Sequence, residues 1–173
     1  MKDNVILTGF MGTGKTSLGK MLAARLGRPF VDIDKKIEDD AQLSIPKIFE
    51  RFGEAHFREL ERAAVRDLSE RRGLVIATGG GTVKDAENLR LLKNSGVVIC
   101  LTTAPEEIFR RTARRGERPV LDGGGSERLE TIKRLLAERK EFYDRADYQI
   151  DTTDWSPIQI IDSICRYLRQ FRS

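Results

Sequence analysis

Gly9-Phe10-Met11-Gly12-Thr13-Gly14-Lys15-Thr16 is the stretch of sequence that decides the fold of this chain. It fits the phosphate-binding pattern G-x-x-x-x-G-K-[ST], with a predicted strand before it and a predicted helix after it. Its glycines let successive backbone N–H groups turn inward without side-chain collisions, and the following helix adds the positive end of its dipole. Lys15 is thereby predicted to reach the β- and γ-phosphates of a nucleoside triphosphate, and Thr16 to ligate Mg²⁺.

Strands and helices alternate on both sides of this loop. Residues 4–8 predict the strand before it, and residues 15–26 predict the helix after it, which Gly27 and Pro29 end. Apolar or β-branched runs predict four more strands, at residues 30–33, 74–78, 97–101 and 148–150. Five strands alternating with helices predict an α/β fold, with a mainly parallel sheet covered by helices on both faces. We expect one domain over residues 1–173.

The composition limits the classes of function. Charged residues make up 34% of the chain and hydrophobic residues 39%, and no apolar run approaches the roughly 20 residues of a membrane span. No signal peptide is recognisable, so we expect a cytoplasmic protein without a membrane partner. The net charge of +4 is modest and no basic run is interleaved with aromatic residues, which argues against nucleic-acid binding. The densest basic cluster instead fits a nucleoside triphosphate; its members are Arg110, Arg111, Arg114, Arg115 and Arg118.

The last predicted helix and the two cysteines have plain structural interpretations. Ser156 is predicted to cap the helix, and its apolar row begins with Ile158 and Ile161. Cys100 and Cys165 each stand in an apolar pattern, which predicts buried small side chains rather than a disulfide or a metal site.

The phosphate-binding loop leaves the phosphoryl acceptor open, and two further segments bear on it. Asp32 and Asp34 alternate with Ile33, which predicts that both carboxylates point to one face at the carboxyl end of a strand. One could serve the metal and the other the acceptor; a solvated strand end is the alternative. The triplet at residues 79–81, Gly-Gly-Gly, is either a tight turn or bare backbone that approaches a ligand closely.

Two arginines are candidates for binding an anionic acceptor. Arg58 precedes Glu61 by three residues on the helix predicted at 54–71. An exposed pair of this kind would stabilise the protein by only about 0–1 kcal/mol, which favours a binding arginine held by Glu61. Arg139 lies in a row of the helical stretch 126–145 that otherwise faces the core. A buried ion pair and an anionic ligand are its two explanations.

Together these segments resemble the shikimate kinase family between residues 9 and 157. The matching segments are G-F-M-G-T-G-K-T, F-V-D-I-D-K-K-I-E, S-I-P-K-I-F-E-R-F-G-E-A-H-F-R-E-L-E, the triple glycine, R-P-V-L and E-R-K-E-F-Y. The resemblance implies a P-loop three-layer fold with a five-stranded parallel sheet of order 2-3-1-4-5 and helices on both faces. It also implies a substrate-binding helical segment at about 33–61 and a lid at about 112–125.

The activity implied by this resemblance is transfer of the γ-phosphate of ATP to the 3-hydroxyl of shikimate, giving ADP and shikimate 3-phosphate, a step toward chorismate and the aromatic amino acids. Mg²⁺ is the implied cofactor, and we expect a monomer. A related kinase, such as one for gluconate, is the alternative, and a nucleotide-dependent binding or regulatory module without turnover is the third hypothesis.

The resemblance also implies roles around the transferred phosphate. Lys15, Asp34 and Arg118 are the implied catalytic residues. Asp34 would grip the ring hydroxyls of shikimate and orient or deprotonate the attacking one. Arg118, which opens R-P-V-L in the lid, would swing onto the transferring phosphate. Thr16 would ligate Mg²⁺, and Asp32 would hold the ion through a water.

The implied shikimate pocket draws on distant parts of the chain. Arg58 and Arg139 would clamp the carboxylate, with Glu61 positioning Arg58. Phe49 and Phe57 would wall the ring. Backbone contacts would come from Gly79, Gly80 and Gly81. The implied nucleotide-binding residues, with Arg111 covering the adenine, are Gly9, Gly12, Thr13, Gly14, Lys15, Thr16, Ser17, Arg111, Arg118 and Pro157.

The chain departs from the family pattern at three places, of which Val120 in R-P-V-L, where the family more commonly has leucine, changes little. Glu141 stands where the family often has a proline, two residues after Arg139, which puts the shape of that helix in question. Asp154 and Trp155 stand where an arginine or asparagine often lies against adenine.

Overall fold

The computed structural model describes residues 3–113 and 125–170. Its elements are β1 (Asn4–Gly9), α1 (Lys15–Leu26), β2 (Phe30–Asp32), α2 (Ile33–Ala41), α3 (Ile45–Glu70), β3 (Val75–Ala77), a 3₁₀ turn (Thr82–Lys84), α4 (Ala86–Ser95), β4 (Gly96–Thr102), α5 (Pro105–Ala113), α6 (Gly125–Tyr143), β5 (Tyr148–Asp151) and α7 (Pro157–Gln170).

The five strands form one parallel sheet, and β1 lies at its centre. The strand order is β2-β3-β1-β4-β5, which confirms the predicted order. In this register Ile6 of β1 lies beside Ile76 of β3 on one side and Val98 of β4 on the other. A central parallel strand is buried on both faces, which is why residues 5–7 of β1 are all apolar.

Helices cover both faces of the sheet, as the alternation predicts. Val5 and Leu7 point to one face, where they pack with residues of α1 and α7 such as Leu22 and Ile161. Ile6 points to the other face, where α2, α3 and α4 supply its neighbours. This alternation follows from the two-residue period of a strand. The two layers of helices thus bury β1, whose carboxyl end leads into the phosphate-binding loop.

A third cluster of buried, mostly apolar residues packs around Phe10 of that loop. Phe10 packs there with Cys100 of β4, Ile108 of α5, and Ile132 and Tyr143 of α6. Cys100 and Cys165 are buried free thiols, as predicted. Helix α6 runs unbroken to Tyr143 through Glu141, so that the missing proline leaves a continuous helix. Among the described residues, none of the helices combines the length and the apolar character needed to cross a bilayer.

Three local predictions differ from the structure. Strand β2 ends at Asp32, because Asp32 caps α2 and turns the chain into that helix. Helix α3 begins at Ile45 rather than at the predicted residue 54. Gly53, with a φ of 81°, forms a kink between the additional first part and the predicted helix. In α7, Ile158 is 68% exposed, and Ile160 and Ile164 are buried instead.

Candidate active site

The phosphate-binding loop joins the end of β1 to the start of α1. Gly12 and Gly14 have φ values of 79° and 94°, a left-handed region that side chains with a Cβ rarely adopt. Lys15 folds back across the loop, and its Nζ donates to the carbonyls of Gly9 at 2.6 Å and Phe10 at 2.9 Å. A cavity of about 370 Å³ opens beside this loop, and Lys15 lines it. The positive end of α1 and the lysine therefore serve the same cavity.

Thr16 and Asp32 form a pair of hard oxygen ligands at this cavity. The Thr16 hydroxyl donates to Asp32 Oδ2 at 2.8 Å, and both residues line the cavity. Within the described ranges, no group of three or more His, Cys, Asp or Glu side chains is placed to hold a metal. Mg²⁺ does not require one, because it usually keeps several waters and takes only one or two protein ligands beside substrate phosphates. The residues present fit this ion.

Asp34 does not lie on a strand with Asp32, which corrects the prediction from alternation. It lies in the first turn of α2, just past the capping residue Asp32. Both carboxylates nevertheless line the cavity beside the loop. Burial raises the pKa of Asp34 to about 6, and the negative charges of Asp32 and Glu61 add to this shift while Lys15 opposes it.

A second cavity, of about 470 Å³, adjoins the first. Phe49, Phe57, Arg58 and Glu61 line its far side. Asp34 and the glycine triplet line both cavities. The carboxyl group with the raised pKa therefore lies at the junction between a phosphate-binding cavity and a second, arginine-bearing one.

The glycine triplet brings three functional side chains together. A Cβ at Gly79 would lie 2.8 Å from Asp34 Oδ1, and one at Gly80 would lie 3.1 Å from Arg139 Nη1. A Cβ at Gly81 would lie 3.2 Å from Arg58 Nη2. The absence of three consecutive side chains thus lets one carboxylate and two guanidinium groups converge on bare backbone.

Alanine at two of these glycines is expected to have different effects. In Gly79→Ala the new methyl displaces the Asp34 carboxylate, so we expect kcat to fall at least about 10-fold. In Gly81→Ala it displaces Arg58, so we expect mainly a rise in the KM for the acidic acceptor of about 5-fold or more. Steady-state kinetics with both substrates varied measures this split. The same change in both parameters for both variants would contradict it.

Arg58 and Glu61 form the ion pair expected from their spacing. Arg58 Nη1 donates to Glu61 Oε1 at 2.8 Å, and the Glu61 side chain is only 2% exposed. Burial disfavours the charge of Arg58, but the hydrogen bond and the attraction of Glu61 outweigh it and raise its pKa. Phe57 packs beneath, with the Arg58 Cζ 5.2 Å from its ring centroid. Its ring lies 4.8 Å from that of Phe49, so the two rings form one apolar wall.

Arg139 reaches the glycine triplet from α6. Its Nη1 lies 3.5 Å from the Gly80 carbonyl, and its Cζ lies 5.1 Å from the centroid of Phe10. Among the described residues, no carboxylate forms an ion pair with it, which favours the anionic-ligand explanation over the buried ion pair. Tyr143, which the predicted site did not include, donates its hydroxyl to the same Gly80 carbonyl at 2.8 Å. The helical spacing that places Arg139 in a core-facing row of residues 126–145 places Tyr143 in the same row.

Arg111 lies on the other side of the phosphate-binding loop. Its Nη2 donates to the Thr152 carbonyl at 3.1 Å, and its Nη1 lies 3.5 Å from the Gly12 carbonyl. Glu107 holds Arg111 through Oε1 at 2.8 Å. Hydrogen bonds from Arg110 and then Arg111 lower the pKa of Glu107 to about 2. The Arg111 guanidinium therefore joins the loop to the chain beyond β5, beside the phosphate cavity.

The remaining predicted residues divide into four groups. Gly14 and Ser17 line the phosphate cavity. The Thr13 side chain is buried and donates to the Phe10 carbonyl at 2.7 Å, so its hydroxyl stabilises the loop itself. Pro157 is exposed at the start of α7. Arg118, most of the predicted lid at 112–125, and Arg114 and Arg115 of the basic cluster lie outside the described residues.

This arrangement is that of a P-loop kinase acting on a small acidic molecule. Comparison with known proteins narrows the class further. The family model for shikimate kinase matches residues 11–169, and the chain belongs to that family. It is therefore an ATP-dependent kinase of this family.

Individual relatives match along nearly the whole chain. A shikimate kinase from Pelotomaculum thermopropionicum is 45% identical over 167 residues, which is 96% of each chain. One from Geobacter metallireducens is 47% identical over 165 residues, 95% of this chain and 91% of that protein. The structure of the Acinetobacter baumannii shikimate kinase in complex with shikimate has a TM-score of 0.90 and 37% identity, and covers 97% of this chain and 93% of that chain.

Proposed function

We propose that ATP and shikimate occupy the two adjoining cavities and meet at Asp34, which acts on the attacking 3-hydroxyl. The observation that carries this proposal is the convergence of Asp34, Arg139 and Arg58 on three consecutive glycines. Phosphoryl transfer needs little covalent chemistry from the protein, so alignment and charge neutralisation provide most of the catalysis. The pKa of Asp34, raised to about 6, suits a carboxylate that accepts a proton near neutral pH.

Lys15 and the N-terminus of α1 neutralise charge on the phosphates, together with the loop residues Gly9, Gly12, Thr13, Gly14, Thr16 and Ser17. Thr16 and Asp32 would hold Mg²⁺, Asp32 through a water, and the ion supplies charge neutralisation on the phosphates when bound. The Thr16–Asp32 hydrogen bond of 2.8 Å supports this assignment, because it keeps both oxygens at the cavity.

The acidic end of shikimate is bound by Arg58 and Arg139. Glu61 positions Arg58, and Phe49 and Phe57 pack against the ring. The ring hydroxyls then face Asp34, and backbone groups of the triplet 79–81 complete the pocket. Two guanidinium groups suit a carboxylate because each offers a planar fork of N–H donors. The segment 33–61, which carries Asp34 and Arg58, is accordingly the substrate-binding segment.

Several further features belong to this proposal. Arg111 packs against the adenine, with Pro157 nearby, and Arg118 in the lid at 112–125 contacts the transferring phosphate. The chain works as a single-domain monomer over residues 1–173 in the cytoplasm, without nucleic-acid or membrane partners, in the route toward chorismate.

The direct test is ADP formation from MgATP by the purified chain with shikimate, with gluconate, or with no acceptor. We expect ADP to form at least about 100-fold faster with shikimate, because only this ring acid satisfies the arginine pair and Asp34 together. The phosphorylated position is read by NMR of the product. Faster turnover with gluconate would favour the alternative kinase. No stimulation by either acceptor would favour a binding module.

A further inference from the structure

We propose that Thr82 is a positioning residue for the carboxylate clamp: its hydroxyl fixes the buried Glu61, which in turn holds Arg58 at the shikimate cavity. The two oxygens of Glu61 have different partners. Oε1 accepts from Arg58 Nη1 at 2.8 Å, and Oε2 accepts from the Thr82 hydroxyl at 2.7 Å. Thr82 is fully buried and Glu61 is 2% exposed, so water cannot replace the hydrogen bond between them.

The second hydrogen bond decides where Arg58 points. Arg58 also lies 3.4 Å from Glu54, whose side chain is 67% exposed. That carboxylate competes for the same guanidinium and would draw it toward solvent. A Glu61 held at both oxygens offers a fixed partner inside the site. The result is an Arg58 fork kept against Gly81, where a Cβ would lie 3.2 Å from Nη2.

Thr82 is itself fixed by hydrogen bonds to α4 and to the glycine turn. It follows the glycine triplet directly and begins the 3₁₀ turn. Its carbonyl accepts from the Asn88 side chain of α4 at 3.2 Å, and its N–H lies 3.3 Å from the Gly79 carbonyl. The hydroxyl therefore joins the glycine turn to α3, across 21 residues of chain. We infer that this bond sets the spacing between the group that binds the carboxylate and the backbone that contacts the ring.

Thr82→Val tests this inference, because valine keeps the shape of threonine and removes the hydroxyl. We expect the dissociation constant and KM for shikimate to rise roughly 5- to 30-fold, since Glu61 loses its hydrogen bond from Thr82 and no longer fixes Arg58 at the cavity. The kcat and the KM for ATP should change less than about 3-fold. Thr82→Ser should restore shikimate binding to within about 3-fold of the original chain. Calorimetric titration with shikimate provides the readout that does not depend on turnover.

The role of Thr82 rests on the proposed role of Arg58. Thr82→Val made alone and together with Arg58→Ala tests the two roles separately. If Arg58→Ala weakens shikimate binding and Thr82→Val adds little to it, both proposals stand. If Arg58→Ala weakens binding and Thr82→Val alone does not, the role of Thr82 is overturned and the clamp stands. If neither affects binding, the clamp itself is wrong. Loss of unfolding free energy with unchanged shikimate affinity would assign Thr82 a structural role only. Should the valine variant fail to fold, Thr82→Ala replaces it in the same comparison.

Discussion

Replacement of Asp34 by asparagine is expected to lower kcat by roughly 10²- to 10⁴-fold, the range typical of a lost general base. Asparagine keeps the size of the side chain and one acceptor oxygen, so that the shikimate hydroxyl still has a hydrogen-bond partner. It removes the group that takes the proton. The KM for shikimate should therefore change much less than kcat. Near-normal turnover would remove Asp34 from the role of base.

The same variant is expected to be more stable than the original chain at neutral pH. The folded pKa of Asp34 is about 6 and its ordinary value is 3.8, so the unfolded chain releases this proton at lower pH than the folded one. The stability associated with the neutral carboxyl is present below pH 3.8 and is lost as pH rises to about 6. The asparagine side chain stays neutral throughout, so we expect a gain of about 2–3 kcal/mol in the free energy of unfolding at pH 7.

The pH profile gives an independent check on the same group. Since the ionised carboxylate is the active form, kcat/KM for shikimate should rise with pH up to about 6 and then level off. Asp39→Asn is the matched control, because Asp39 lies on the same helix but is 60% exposed and pairs with Lys35. It should leave both kcat and the pH profile unchanged. A profile without a transition near pH 6, or an asparagine variant at position 34 that is less stable than the control, would contradict the account of Asp34.

The fold was predictable because its signals are local. The loop at residues 9–16 fixes a strand before it and a helix after it, and the recurring apolar runs fix the remaining strands. The parallel order required the family resemblance, since a run such as 148–150 does not indicate its neighbour in the sheet. The capping role of Asp32 was missed because an alternating Asp-Ile-Asp also fits a helix start, where the first residue caps and the second is buried.

Contacts in the site were predictable where both residues lie on the same helix. Contacts between residues on different helices and loops were not. Arg58 and Glu61 are three residues apart on one helix, so their pairing follows from helical spacing. Thr82 contacts Glu61 across 21 residues, and Tyr143 contacts Gly80 across 63 residues. Such contacts arise only once the sheet brings its loops to one edge. Helical spacing places Tyr143 in the row of Arg139, but neither contact follows from spacing along the chain.

Substitution of the clamp arginines has the second large expected effect, a rise of roughly 10- to 100-fold in the KM for shikimate for either Arg58→Ala or Arg139→Ala. Each change removes charge-assisted hydrogen bonds to the carboxylate, while the KM for ATP should change less than about 3-fold. Equal effects on both substrates would contradict the clamp. Arg62→Ala on α3 and Arg134→Ala on α6 are matched controls, because both arginines are at least half exposed and pair with acidic residues.

The two clamp variants should differ in stability even though they share the kinetic effect. Arg58→Ala leaves the buried Glu61 without its cation, and breaking a buried ion pair is expected to cost about 3–5 kcal/mol of unfolding free energy. Arg139 lies against backbone and aromatic groups in the described part of the chain, so its removal should cost little stability. Arg58→Lys retains the charge beside Glu61 and loses the planar fork, so it should recover stability while shikimate binding stays weak. Denaturant unfolding beside shikimate titration measures both quantities. Full recovery of shikimate affinity by lysine would mean that charge alone, rather than the guanidinium geometry, binds the acid.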